Sequence, residues 1–402
     1  MAGAATTMTV VDGVLKEIYE AKVRDQLNNE AIALRRIEKS SEGVSHDVGG
    51  KYVAFPIRTR RNHGVGARNE NEPLPDPRSQ VYKAARINLA YLYGALSLTG
   101  QTMELADTNE QAFVSVLDAE VDGLKQTLVK DTNRQMYGSS DGALATATAD
   151  GSNTFTVANT QYLEVGMVID VWDPTFATPR IQNRNVTAIS GLTVTYDGAD
   201  GTISNNDIVT RTASQQREKI GFKQIIASSG QLYNVNPATE PVWASSVDAF
   251  GGVNRALSEG LMIKMVDSIR TAGGGVPTVI FTSLGVRRAY FQLLSQQRRY
   301  NDTTTFAGGF KGLKFETDAG DIPMISDFDA PPNKAWFVNE KQVRLYEEKD
   351  WSFMNRDGSN WQRVIQSTGN YDAYAAYLYK YCQVGTHQRN SHGLLTDLAE
   401  AS

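Results

Sequence analysis

Apolar residues along the first forty positions keep helical spacing. Within residues 12–39, Leu15, Ile18, Leu27, Leu34 and Ile37 stand among Lys, Arg and Glu, a pattern that predicts one amphipathic helix. A terminal helix with an apolar stripe must be covered, either by the rest of the chain or by another subunit. The pattern then changes to alternation. Residues 51–61 (KYVAFPIRTRR) place Val53, Phe55 and Ile57 on one strand face. Residues 86–99 (RINLAYLYGALSLT) place Ile87, Leu89, Tyr91 and Tyr93 on one face of a second strand, so a long hairpin is predicted. Between them, residues 62–78 (NHGVGARNENEPLPDPR) hold only Val65 and Leu74 as sizeable apolar residues and cannot form a core of their own. A loop of this length is either disordered or shaped to meet a partner; ordered strands feeding it from both sides favour a partner surface.

Helical spacing returns after Thr108, which with Gln111 forms a capping box. Phe113, Leu117, Val121, Leu124 and Leu128 then predict a single helix over residues 109–137, stopped at Gly138 and roughly 44 Å long. Residues 139–150 (SSDGALATATAD) are small and polar and read as a linker. From 154 to 212, short β-rich runs punctuated by Asp-Gly, Ser-Gly and Asn-Asn predict a small β-barrel or sandwich, set as an insert between unlike neighbours. Residues 221–243 look irregular. Leu257, Leu261, Met265 and Ile269 predict a helix over 247–272, followed by a strand at 277–283, a helix at 284–294 and strands at 322–325, 335–338 and 343–346. A loop at 296–312 interrupts this α/β region, and Tyr371, Tyr374, Tyr377, Tyr379 and Tyr381 give a tyrosine-rich terminal strand suited to a core edge or a subunit contact.

Composition narrows the class. The 402 residues are 41% hydrophobic and 21% charged, which excludes collagen-like, low-complexity and disulfide-scaffold chains and allows two to four domains. Cys382 is the one cysteine, so no intrachain disulfide can form and nothing argues for an oxidising compartment. The net charge of −5 and the lack of clustered Lys and Arg argue against direct reading of DNA sequence. No signal peptide or membrane span is expected, since the longest apolar stretch, residues 89–98, is broken by Gly94 and Ser97.

The search for chemistry returns no reaction. His46, His63, His387 and His392 are scattered, and the five-residue step from His387 to His392 does not suit the helical zinc motif. Neither a nucleophile elbow nor a phosphate loop is present, and Gly308, Gly309, Lys311 and Gly312 have the wrong spacing to cradle phosphate. Asp327 with Asp329, and Glu347 with Glu348, read as solvated loop charges. We therefore expect no catalytic residue, no cofactor and no metal site.

The order of elements, from arm through hairpin, long helix and α/β region to tyrosine-rich strand, resembles the major capsid proteins of tailed bacteriophages with the Hong Kong 97-type fold. The likeness runs essentially the whole length and is nearest to phages of actinobacteria. It is carried by LKEIYEAKVRDQLNNE (15–30), LRRIEKSSEGV (34–44), GGKYVAFPI (49–57), LYGALSLTGQTMELA (92–106) and TNEQAFVSVLDAEVDGLK (108–125).

The resemblance implies an α+β chain: N-terminal arm (1–48), extended loop (49–100), peripheral domain with spine helix (101–150), inserted β-domain (151–212), connection (213–246), axial domain (247–345) and peripheral return (346–402). It implies a structural, non-enzymatic subunit of an icosahedral virion shell, assembling with itself into pentamers and hexamers around double-stranded DNA, which it touches non-specifically. The expected further partners are a scaffolding protein, a portal and a decoration protein, with no membrane; the shell would be built in the bacterial host cytoplasm. Arg58, Arg60, Arg61 and Arg68 with Glu70, Glu72 and Asp76 are expected to form intersubunit ion pairs, Leu15, Ile18, Leu27 and Leu34 to carry arm contacts, and Arg298, Arg299 and Tyr300 to face the capsomer centre. Some relatives join subunits by a lysine–asparagine isopeptide; here Lys51 and Lys83 lie at the hairpin base with no lysine between, so cross-linking to a residue such as Asn355 is not expected. A cleaved scaffolding extension is not seen, so the chain is expected to be already processed or to use a separate scaffold. An encapsulin-type compartment and a hydrolase with a carbohydrate-binding β-module are the alternatives.

Overall fold

The computed structural model describes residues 30–40, 52–99, 110–199, 201–298, 313–318, 320–348, 350–355, 360, 362–366 and 369–401. The capping box at Thr108, and Leu15, Ile18, Leu27, Arg299 and Tyr300, lie outside the described residues. The chain divides into two compact units, one of residues 1–29, 95–127 and 355–376, the other of residues 30–94, 128–354 and 377–402.

The larger unit begins with α1 (Ile32–Arg36), a single turn whose Ala33 and Leu34 are buried. β1 (Glu38–Ser40) follows and runs parallel to a distant segment, Glu38 opposite Arg344 and Ser40 opposite Tyr346. Residues 38 and 39 are therefore strand and not helix: one helical turn is marginal by itself, and the parallel ladder replaces its hydrogen bonds. β2 (Tyr52–Arg60) and β3 (Val81–Asn88) form the hairpin, with Tyr52 opposite Asn88 and Arg60 opposite Val81. The return strand thus begins at Val81 and not at Arg86, and β4 (Ala90–Thr99) is a separate strand. The break at Leu89 exchanges faces, a one-residue slip in a period of two. Ile87 is buried, but Tyr91 and Tyr93 point outward and meet the Tyr381 ring edge-on at 4.9 and 6.4 Å.

α2 (Glu110–Gln135) is the long predicted helix, of 26 residues. It tightens at its end, where Met136, Tyr137 and Gly138 donate to carbonyls three residues back. A closed six-stranded barrel follows, built from β5 (Ala143–Gly151), β6 (Thr154–Val157), β7 (Val168–Trp172), β8 (Pro179–Ser190), β9 (Thr193–Tyr196) and β10 (Ile208–Arg211). Its ring order is β10-β5-β6-β9-β8-β7, which leaves no free edge. Alternate residues fill it: Phe155, Val157, Val194 and Tyr196 point inward from β6 and β9. β5 corrects the linker reading of residues 139–150. Its inward residues are Leu144 and Ala147, three apart, and the ladder register shifts within the strand, so neither composition nor a period of two marked the run.

The remaining elements are α3 (Phe222–Ile225), β11 (Ser246–Asp248), α4 (Glu259–Thr271), β12 (Val279–Thr282), α5 (Leu284–Arg298), β13 (Lys314–Thr317), β14 (Gly320–Ser326), β15 (Ala335–Val338), β16 (Val343–Glu347), β17 (Ser352–Phe353), β18 (Gln362–Gln366), β19 (Gly369–Thr386) and β20 (Gly393–Leu395). α4 starts twelve residues later than its apolar spacing suggested, because Ser258 caps it by accepting from the Leu261 N–H and residues 246–248 are drawn into a sheet. That sheet has the order β11-β20-β15-β12-β14-β13. It packs α4 and α5 over Ile280, Met324, Phe337 and Leu395. β16 does not belong to it; it pairs with β19, Val343 opposite Thr386. Arg298 is the last residue of α5 and so is helix, not loop. The smaller unit contains, among its described residues, the first part of α2 and the β18–β19 hairpin, in which Gln362 pairs with Ala375.

Candidate assembly surface

The hairpin is anchored at one end and bare at the other. Val53, Ile57, Ala85 and Ile87 enter the main core of the larger unit. Gln383 Nε2 donates to the Asn88 carbonyl at 3.0 Å, and the Arg86 N–H donates to the Tyr233 carbonyl at 3.1 Å. Beyond Arg60 nearly every residue is exposed, with Val65 at 80% and Leu74 at 84%.

This stretch has no strand, yet it is not shapeless. Its limbs run so close that a Cβ on Gly64 would lie 2.9 Å from the Asp76 carbonyl oxygen and 3.0 Å from the Arg78 nitrogen, which leaves room only for glycine. At the tip, the Asn69 N–H and Nδ2 each donate to the Glu72 carboxylate at 3.0 Å. That contact holds the Glu72 carboxyl below the usual range. Arg68 Nε donates to the Pro73 carbonyl at 2.8 Å. Polar side chains are thus spent on shaping a finger that presents two apolar residues outward.

The predicted contact residues divide accordingly. Arg60 reaches the largely buried Glu240 of its own chain at 3.6 Å. Arg68 and Glu72 shape the tip, while Arg58 lies 3.5 Å from Gln80. Among the described residues, Arg58, Arg61, Glu70 and Asp76 form no ion pair. Leu34 needs correcting: it is buried in the chain's own core and is not available to a neighbour, because α1 is held by side chains from distant elements.

Those holding groups were not visible in the sequence. Asp327 and Asp329, read as solvated, are both buried at the end of β14. Asp327 accepts from the Ala33 N–H (3.0 Å), the Tyr137 hydroxyl (3.1 Å), Asn133 Nδ2 and the Asp329 N–H. Asn133 in turn accepts from the Leu34 N–H at 2.9 Å and donates to Asp329 at 2.6 Å. Lys130 neutralises Asp329 at 3.0 Å. Burial pushes the Asp329 carboxyl up, against Asn133 and Lys130, and keeps the Tyr137 hydroxyl protonated. The same node carries the barrel, since Tyr162 donates its hydroxyl to the Asp329 carbonyl at 2.6 Å and Gln161 donates to that of Phe328.

Two further hubs brace this surface. Arg134 lies between Asp131 and Glu218; burial works against its charge, but the two carboxylates more than offset it and hold its pKa above the ordinary value. Arg389, also buried, pairs with no carboxylate among the described residues. It donates to five carbonyls, of Ile225, Gly230, Trp243, Gln224 and Ser229, at 2.9 to 3.4 Å. All five guanidinium N–H groups are satisfied, and the irregular residues 224–243 are gathered around one side chain. His387 and His392 are likewise structural: His387 meets the Tyr346 hydroxyl at 2.6 Å, and His392 is fully buried.

The comparisons accord with an assembly role. No curated protein sequence matches the chain. Among solved structures, the capsid asymmetric unit of cyanophage A-1(L) is similar at a TM-score of 0.61 and 14% identity, covering 98% of this chain and 99% of that one. Mycobacterium phages Bobi and Adephagia are each similar at 0.50, with 10% and 9% identity; 98% of this chain is covered in both, with 99% and 98% of theirs. At such identities the likeness establishes the fold, which is the Hong Kong 97-type capsid fold. Residues 103–399 match the family described as SU10 major capsid protein. An anchored hairpin with a preformed outer finger, on a chain whose buried charges among the described residues tie distant elements together, is what a shell subunit requires, and the chain belongs to the SU10 major capsid protein family, structural subunits of the tailed-phage virion shell.

Proposed function

We propose that copies of this chain close into pentamers and hexamers around double-stranded DNA, with the finger of residues 61–80 laid on a neighbouring copy. The observation that carries this reading is the finger itself: it is shaped before any partner arrives, so docking costs little conformational entropy, and its apolar residues have no cover within the described chain. Arg58, Arg61, Glu70 and Asp76 are the charges left for contacts between copies. Many weak contacts of this kind become strong by multiplicity. In this reading a scaffolding protein guides closure, a portal fills one vertex, and the barrel faces outward as the seat for a decoration protein. The one cysteine, Cys382, is buried and unpaired, which suits assembly in the reducing host cytoplasm.

Negative-stain electron microscopy of the expressed chain tests the reading. Closed shells are expected, and Arg58→Glu with Arg61→Glu should lower their yield while the subunit stays soluble. Unchanged yield removes the charge contacts; shells filled with folded protein and free of nucleic acid overturn the DNA-enclosing role in favour of an enzyme compartment.

A further inference from the structure

Tyrosines from opposite ends of the chain meet on one sheet of the larger unit. β4 pairs with β19, and alternation along each strand puts Tyr91 with Tyr93, and Tyr379 with Tyr381, on single faces. Tyr381 is the centre of the group. The Tyr91 ring meets it edge-on at 4.9 Å, Tyr379 lies at 5.0 Å and Tyr93 at 6.4 Å, all within the contact range of aromatic pairs. The face is open to small molecules: Tyr91 and Tyr93 are 55% and 53% exposed, while Tyr379 and Tyr381 are half-buried.

Tyrosines that only finished a core edge would turn their hydroxyls to water. Instead the Tyr93 and Tyr381 hydroxyls are hydrogen-bonded to each other, the main reason that the Tyr381 phenol is pushed up to about 12. That bond sets a geometry with chemical meaning. When two phenols couple oxidatively, the new carbon–carbon bond joins the ring positions beside the hydroxyls, so the two hydroxyls flank it in the product. A pair already bonded hydroxyl to hydroxyl presents those positions to each other, whereas Tyr91, although nearer, stands edge against face at 87°. The chain's one thiol does not compete for the oxidant. Cys382 is fully buried, burial keeps it protonated, and alternation along β19 turns it away from Tyr381.

We propose that Tyr93 and Tyr381 are an oxidative cross-linking site, closed into a dityrosine within one chain by a haem-peroxidase-class oxidant supplied with hydrogen peroxide. Each phenol gives up one electron and its O–H proton, leaving two phenoxyl radicals. These join through the carbons beside their oxygens; each carbon then loses its hydrogen while each oxygen regains one, and both rings are aromatic again. Two hydrogens leave per link, and one hydrogen peroxide becomes two waters. The bond fastens β4 to the terminal strand β19. Because the two residues are so far apart in sequence, the closure restricts the unfolded chain far more than the folded one. The site is complete in a single copy and stands whether or not copies assemble.

The test uses the full chain, mixed from equal amounts of light and heavy-isotope protein and treated with a haem peroxidase and limiting hydrogen peroxide. Trypsin cuts after Lys380 and so separates Tyr381 from Tyr379. Mass spectrometry should find the peptides of residues 87–125 and 381–389 joined with the loss of two hydrogens, each link of a single isotope, and dityrosine fluorescence and the urea midpoint should rise with it. Tyr93→Phe should lower that link at least tenfold without moving the urea midpoint of the untreated chain. Tyr91→Phe, and Tyr82→Phe at an exposed tyrosine of β3, should leave the link within twofold. A link that survives Tyr93→Phe, links that are mostly mixed-isotope or mostly through Tyr82, or no link while free tyrosine couples in the same mixture would each overturn the proposal and leave the shell reading untouched.

Discussion

His392 offers a quantitative test of the buried polar framework. Its ring is fully buried; Nδ1 accepts from the Asn339 N–H at 3.2 Å, and Nε2 lies 3.0 Å from the Thr386 hydroxyl and 3.3 Å from that of Ser391. An Nδ1 that accepts cannot carry a proton, so Nε2 holds the hydrogen and the ring is neutral. Burial alone lowers its pKa from 6.5 to about 3. The unfolded chain takes up a proton as pH falls through 6.5 and the folded chain does not until about 3, so stability is complete above 6.5 and is lost between those values. The loss is about 2 kcal/mol at pH 5 and about 4 kcal/mol near pH 3. His392→Asn places Oδ1 where Nδ1 accepted and removes the titration. Urea unfolding of wild type and variant at pH 7 and pH 5 should show the wild type losing about 2 kcal/mol more than the variant. The other histidines cancel in that difference, and the depressed carboxyls, such as Asp350 at about 2, titrate below the window. Parallel losses, within about 0.5 kcal/mol, would refute the argument that this ring is held neutral.

Three further outcomes follow from the same framework. Arg389→Met leaves five carbonyls without their donor and should cost about 4–6 kcal/mol in urea unfolding, with Arg389→Lys recovering less than half, because an ammonium has three donors and no planar fork. Asn133→Leu orphans the Leu34 N–H and sets Asp327 and Asp329 against each other without a shared donor; a loss of about 3–5 kcal/mol is expected, together with faster proteolysis near residues 31–37. Gly221→Ala would put a methyl 2.4 Å from the Gln135 carbonyl oxygen and 2.6 Å from that of Met136, so about 3 kcal/mol should be lost, and an unchanged thermal midpoint would contradict the close approach.

What the sequence disclosed and what it hid divide along the range of the interactions. The first hairpin strand, the long helix and the β-rich insert region follow from periods of 2 and 3.6, which neighbours in sequence enforce, whereas the return strand begins at Val81 and most of the alternation over 86–99 belongs to a separate strand. The finger was legible as a segment with no core of its own, but the Asn69–Glu72 pair that shapes its tip emerged only from the structure. β5 was hidden because alanine and threonine look alike in a linker and in a narrow barrel. Residues 38–40 were hidden because their ladder partner lies about three hundred positions away. The same distance conceals the buried charges: Asp327 reads as a loop carboxylate until residues 33, 133 and 137 are brought around it, and Arg389 as a surface arginine until residues 224–243 enclose it.

The barrel's way in and out of the chain has a practical consequence. Ala143 and Thr210 face each other as ladder partners, and Ser139 is bridged to Ile220 beneath them. The main chain therefore leaves and rejoins its path at points about 5 Å apart. Seen as a socket, this junction accepts any folded polypeptide whose own ends lie side by side, without stretching the chain on either flank. Among the described residues, exchange of residues 143–210 gives up the contacts of Gln161 and Tyr162 with the Phe328–Ala330 turn, the approach of Arg134 to the Tyr162 ring, and the bonds that Thr212, Ala213 and Gln215 donate to Asp170 and Phe176. Each subunit would then carry one foreign domain, and the number of copies displayed would be fixed by the count of subunits.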